Sequence, residues 1–229
     1  MTRKGSSRLA GFAFLFYIAV GVPAMVLSGR ATSGADVPAK LARIASHLPE
    51  MRIALLLTLL GTLMALALAV SLFAITRDED TDVARLGMVC RVAEALVGAA
   101  SIPGTAVLMW LGTTTGPGAP DPATARAVGA FLFAVLGRNG TVSATFFAVG
   151  STAFSWLMLR GRIVPAGLAG LGVGASLLLV VGLPLQLVGL LPGLLGSLMW
   201  LPMLAFEVPV ALWLLVRGAA SPRPRAAAA

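Results

Sequence analysis

The stretch MRIALLLTLLGTLMALALAVSLFAIT, residues 51–76, runs from Ile53 to Thr76 without a charged side chain. An α-helix rises about 1.5 Å per residue and the hydrocarbon core of a bilayer is about 30 Å thick, so about 20 such residues cross it. The stretch is long enough to span and shows no polar face to turn toward water, so it reads as a transmembrane helix. The same reading outward along the chain, between charges and turn formers, gives spans at Leu9 to Ser28, Met51 to Thr76, Val83 to Gly112, Thr141 to Leu159, Pro165 to Val188 and Gly193 to Val216. Ala123 to Gly137 is also apolar but shorter than a span. Between GPGAPDP and RNG it predicts an interfacial or re-entrant helix leading into span four.

Composition agrees. Of 229 residues 58% are apolar before 26 glycines are added, and only 11% are charged. A soluble domain carries about 25% charged residues, so the expected fold class is all-α, a polytopic membrane helical bundle. It forms one unit over residues 1–218, with a short disordered tail from residue 219 to 229. One cysteine, Cys90, and one histidine, His47, exclude an internal disulfide and a zinc site of His and Cys ligands. A net charge of +8 would suggest nucleic acid in a soluble protein. Here the charges sit between apolar runs, so the expected partner is the lipid bilayer and not nucleic acid. No symmetry between the two halves is evident, and the oligomeric state is not legible.

Six spans place the N-terminus, the second and fourth loops and the C-terminus on one side. That side holds Arg3, Lys4, Arg8, Arg77, Arg85, Arg160, Arg162, Arg217, Arg223 and Arg225; the other holds Arg30, Lys40, Arg43, Arg52, Arg126 and Arg138. The positive-inside rule then puts both termini in the cytoplasm. The first apolar run follows basic residues but is about a full span long and lacks a clear A-x-A cleavage site, so it is expected to be retained as a helix.

Seven of the nine carboxylates lie in loops or at span ends, which leaves Glu94 and Glu207 within the membrane. Glu94 is nine residues past Arg85 and Glu207 ten before Arg217. At about 1.5 Å per residue both lie roughly 14–15 Å deep, at the midplane. Ionisable groups there are costly unless paired or functional, so the alternatives are an acid site and a hydrogen-bonded lock between spans three and six. Arg91, one turn before Glu94, is placed to pair with it. Glu207 has no basic residue within a turn, which makes it the candidate for a neutral, proton-donating carboxyl group. Pro202 and Pro209 flank it and are expected to free the carbonyls of Leu198 and Ala205. Phe146, Phe147, Trp200, Phe206 and Trp213 face either a cavity, where aromatic faces attract cations, or the lipid boundary. In RDEDTDVAR, residues 77–85, four acids read as a solvated turn or as a magnesium site for a phosphorylated substrate. GLAGLGVGA, from Gly167, reads as close helix packing with Gly170 and Gly174 as a GxxxG pair.

CRVAEALVG (90–98), FFAVGSTAFSWLMLRGRIVPAGLAGLG (146–172) and FEVPVALWLLVRG (206–218) resemble a family of small six-helix bacterial membrane proteins catalogued as a domain of unknown function. The resemblance implies an Arg-x-x-Glu pair in helix three, here Arg91 and Glu94, and a Glu followed by Trp-Leu-Leu and a basic residue in helix six, here Glu207, Trp213 and Arg217. The family tends to carry a His-Asp pair before helix four, where this chain has Arg138 and Asn139. In plan the chain is also similar to integral-membrane terpene cyclases, compact bundles with a few intramembrane acids. That similarity implies an enzyme that protonates a lipid-soluble isoprenoid, with Glu207 as acid, Glu94 held by Arg91 as counter-charge, aromatic side chains around the carbocation, and no cofactor or metal. A proton-coupled transporter and a non-catalytic assembly partner are the other classes the two glutamates allow.

Overall fold

A computed structural model describes residues 2–191 and 193–220. Among the described residues the regular structure is all helical: α1 (Arg3–Ala31), α2 (Val37–Ser46), α3 (Leu48–Thr76), α4 (Thr81–Ala99), α5 (Ser101–Thr113), α6 (Pro122–Arg160), α7 (Ala166–Leu187), α8 (Gly193–Leu198) and α9 (Leu201–Val216). They supply six segments long and apolar enough to cross a bilayer, with α4 and α5 together making the third and α8 and α9 the sixth. The protein is therefore an all-α, multi-pass membrane chain.

Helix ends follow side-chain chemistry. Asp36 caps α2 by accepting from Ala39 N at 2.8 Å, and Asp80 Oδ1 accepts from Asp82 N and Val83 N at the start of α4. Asp121 caps α6 through Ala123 N and Thr124 N and takes the Thr124 hydroxyl at 2.6 Å. The Thr124 side-chain and backbone bonds hold its carboxyl below the usual carboxylate range. The division between α4 and α5 falls at Ala100, three residues before Pro103, whose ring nitrogen cannot donate to Ala99 O. Pro202 lies in the first turn of α9, where no donor is needed, so of the two prolines around Glu207 only Pro209, inside the continuous helix, removes a backbone donor from its ladder.

The apolar stretch Ala123 to Gly137 is helical, but it is not a separate element: α6 continues through Arg138-Asn139-Gly140 into span four. Asn139 normally favours turns by bonding its own backbone. Here its amide donates instead to Val97 O at 2.7 Å and Ser101 Oγ at 2.6 Å, leaving the α6 ladder intact.

The described chain divides into two compact units. The first takes the chain up to Phe16, Met64–Ala95 and the part from Thr141 on; the second takes Tyr17–Leu63 and Leu96–Gly140. In the first unit, Phe14, Leu68, Leu72, Phe154, Leu179, Met203 and Val210 are among the side chains of one buried cluster. Helix α1 meets α9 backbone to backbone at Gly11, where a Cβ would come within 2.5 Å of Ala211 O. One end of this unit gathers four separate stretches of chain. Arg3 pairs with Asp78 at 3.1 Å, Arg160 with Asp80 at 3.5 Å, Ser7 Oγ donates to Leu214 O and Ala220 N donates to Ile163 O. An even number of crossings requires this common end. Ala219 and Ala220 are thus part of the packed unit; the remainder of the expected tail lies outside the described residues.

The second unit contains an element absent from the sequence reading. VPAKLARIAS, residues 37–46, forms α2 and lays Leu41 and Ile44 against Leu108 and Leu111 of α5, with Met51 and Ala31 beside them. Gly112 permits this approach, since a Cβ there would stand 2.7 Å from Leu41 O. Lys40 places its ammonium 5.1 Å from the Phe133 ring centre.

Candidate functional site

Within the first unit, α4 and α6 run antiparallel along a seam of matched residues. Glu94, Arg91 and Gly87 share one face of α4 at helical spacing, and Ser143, Phe147, Gly150 and Phe154 share the opposing face of α6. Ser143 Oγ donates to Glu94 O at 2.9 Å, the Arg91 guanidinium lies 4.7 Å over the Phe147 ring, and Phe154 packs on Gly87. Gly150 sits where the Arg91 stem crosses. A Cβ there would be 3.0 Å from Arg91 Cγ and 3.0 Å from Gly87 O, so any side chain would push the two helices apart. Neither Gly87 nor Gly150 stands out in the sequence, because glycines are scattered through every span.

Arg91 turns back on its own helix to Glu94, with Nη1 to Oε2 at 2.9 Å. Both are enclosed, with relative exposures of 1% and 4%. Charges so removed from water are retained only with close partners, and the short i, i+3 ion pair together with the ring beneath the guanidinium supplies them.

Glu207 comes from α9, whose buried face is Met203, Phe206, Glu207, Val210, Ala211 and Leu214. It is 7% exposed and within electrostatic reach of both Arg91 and Glu94. Its Oε1 is buried without a hydrogen-bond partner among the described residues. One guanidinium and two carboxyl groups sum to zero only when one carboxyl carries a proton.

The five aromatic candidates separate. Phe147 lies under Arg91 and its ring is 5.9 Å from that of Trp200, which is itself 37% exposed. Phe206 is buried against Gly172 of α7 near Ser155 of α6. Phe146, also 37% exposed, points away from its buried neighbour Phe147. Trp213 sits toward the loop end under the Arg217 guanidinium at 5.2 Å. Phe147 and Trp200 therefore accompany the charged cluster, whereas Phe146 and Trp213 do not.

Other sequence candidates resolve plainly. The GxxxG assignment is corrected: Gly170 and Gly174 face open space, and Gly172 between them makes the close contact, with room for a Cβ only 2.5 Å from the Phe206 ring. The four acids of residues 78–82 are occupied with Arg3, Arg77, Arg85, Arg160, the α4 cap and, for Glu79, the space beside Gly161. No group of three metal-ligating side chains forms among the described residues. Cys90 is buried, and His47 ends α2 with Nδ1 near Ser46 Oγ and Arg43 O.

The family described as Domain of unknown function (DUF4386) matches residues 9–218. That stretch takes in Arg91, Glu94 and Glu207. Neither a curated protein nor a solved structure matches the chain.

Proposed function

The chain belongs to the DUF4386 family, and we propose that it is an integral-membrane enzyme acting on a lipid-soluble isoprenoid, a proton-initiated cyclase with both termini in the cytoplasm of a bacterial inner membrane. The observation that carries this reading is the charge count of the buried cluster, two carboxyl groups against one guanidinium. Arg91 is committed to Glu94 by a short ion pair, which leaves Glu207 as the group that holds the proton.

The chemistry needs only that proton. Glu207 gives it to a terminal alkene carbon, a C–H bond forms, and the tertiary carbocation is attacked by the next alkene of the same chain, forming the ring bond. Loss of a proton from a neighbouring carbon restores an alkene, and the proton returns to the carboxylate, so substrate and product are isomers. The Arg91-held Glu94 supplies fixed negative charge, and the rings of Phe147 and Trp200 supply polarisable faces near the cation. A dry, apolar surround prevents capture of the cation by water.

Full enclosure of Arg91 favours a second reading, in which the same cluster locks α4, α6 and α9 together in a non-catalytic membrane assembly partner. Membranes containing the protein, incubated with linear and epoxidised prenyl substrates and followed by product analysis, separate the two. The enzyme reading expects cyclised isomers from the parent and none from Glu207→Gln, with the variant folded. Absence of product from the parent on every prenyl substrate overturns it in favour of the lock.

A further inference from the structure

A cavity of about 500 Å³ opens at the loop end of the first unit, between the turn that follows α6 and the end of α9. Arg162, Pro165, Trp213, Arg217, Gly218 and Ala220 are among its walls. Both helices that frame it stop in the left-handed conformation, which glycine adopts without strain. Helix α9 uses Gly218 there, at φ +80°. Helix α6 uses Arg162, at φ +49°, closed by Ile163 N to Met158 O and Arg162 N to Leu159 O. A side chain held in this unfavourable conformation at a cavity wall points to a use for that side chain. The glycine immediately before it, Gly161, is needed for another purpose, since Glu79 fills the space a Cβ would take.

Two of the cations at this end lie on the cavity wall. Arg3, Arg77, Arg85 and Arg160 at the same end each stand against an aspartate. Arg162 and Arg217 stand against no acid among the described residues, and the Arg217 guanidinium is instead stacked on Trp213. Trp213 and Arg217 close the last span while Arg162 and Pro165 lie between the fourth and fifth, so the cavity sits at the level where a bilayer exposes its headgroups. Two guanidiniums, an indole face and apolar walls fit a phosphate ester on a greasy chain.

We infer that this cavity binds the phosphate headgroup of an anionic membrane lipid between Arg162 and Arg217, with Trp213 against the ester. This site stands apart from the Glu207 cluster and does not depend on acid chemistry there.

Native mass spectrometry of the full chain, delipidated and then given phosphatidylglycerol or phosphatidylcholine, tests it. The parent should retain phosphatidylglycerol in preference to phosphatidylcholine. Arg162→Gly and Arg217→Gln should each weaken that retention about tenfold, the loss of a charge-assisted contact. Arg162→Gly relieves the left-handed strain, so its melting temperature should equal or exceed the parent's and misfolding is not an explanation. The double variant Arg30→Gln/Arg126→Gln removes two charges, one more than either cavity variant, from exposed positions in the second unit and should leave retention unchanged. Equal loss in that control, or parent-like retention in both cavity variants, overturns the proposal. A third arm adds inorganic phosphate alone: if it raises the parent's melting temperature as much as phosphatidylglycerol does, and Arg162→Gly abolishes both effects, the lipid assignment is overturned in favour of a soluble phosphate.

Discussion

Replacing Arg91 by methionine keeps much of its apolar stem and removes the one cation of the buried cluster. Glu94 would lose a 2.9 Å ion pair at a position 4% exposed, and Glu207 would lose the cation within its electrostatic reach. Removing one member of a buried pair costs about 3–5 kcal/mol, because the survivor remains desolvated without compensation. Replacing both members with neutral groups of similar shape costs far less, so Arg91→Met/Glu94→Gln should recover most of the loss. At roughly 2–4 °C per kcal/mol for a chain of this size, the single variant should melt about 6–20 °C below the parent. The assay is thermal unfolding in one detergent for the parent, both single variants and the double, closed as a double-mutant cycle. A single Arg91→Met variant within about 0.5 kcal/mol of the parent, or strictly additive losses, would show that the pair carries no coupling and that the charge count has no structural force.

Gly172→Ala should destabilise by about 1–3 kcal/mol through overpacking on Phe206, while Gly170→Ala and Gly174→Ala should fall within about 0.5 kcal/mol of the parent; thermal melts of the three check this. Under the proposed cyclase function, Asp80→Asn and Asp82→Asn should retain turnover without added metal, and a dead pair beside an active Glu207→Gln would move the chemistry to the loop end. In a Cys90→Ser background, Thr81→Cys should resist and Ala119→Cys accept an impermeant thiol reagent added to intact cells, and the reverse labelling would invert the topology.

Spans were legible because bilayer thickness imposes a length on apolar runs that no packing detail can disguise. Glu94, Arg91 and Glu207 were legible for the opposite reason: against so apolar a background, an ionisable residue stands alone, and depth can be counted from flanking arginines. What the sequence hid was determined by partners distant along the chain. Gly172 and its neighbours Gly170 and Gly174 look alike until Phe206 is placed. Gly150 has meaning only beside Arg91. Helix α2 is short and carries Lys40 and Arg43, so its two buried residues, Leu41 and Ile44, were too few to register against the polar loop around them. Asn139 kept α6 whole by bonding across to Val97, a contact 42 residues away.

The position of Arg91 and Glu94 on one helix bears on how the chain enters the bilayer during synthesis. The span Thr81–Thr113 is less apolar than the two before it, and an arginine and a glutamate at its heart would each resist partition if exposed separately. Because they are one turn apart, they can meet while α4 is still a lone helix at the translocon and cross as a neutral unit. Glu207 is made more than a hundred residues later and arrives at a cation already in place. A nascent chain arrested just past Arg160 should therefore insert α4 fully, whereas Glu94→Gln in the same arrested chain, leaving Arg91 unmatched, should stall it at the membrane surface in a glycosylation-mapping assay.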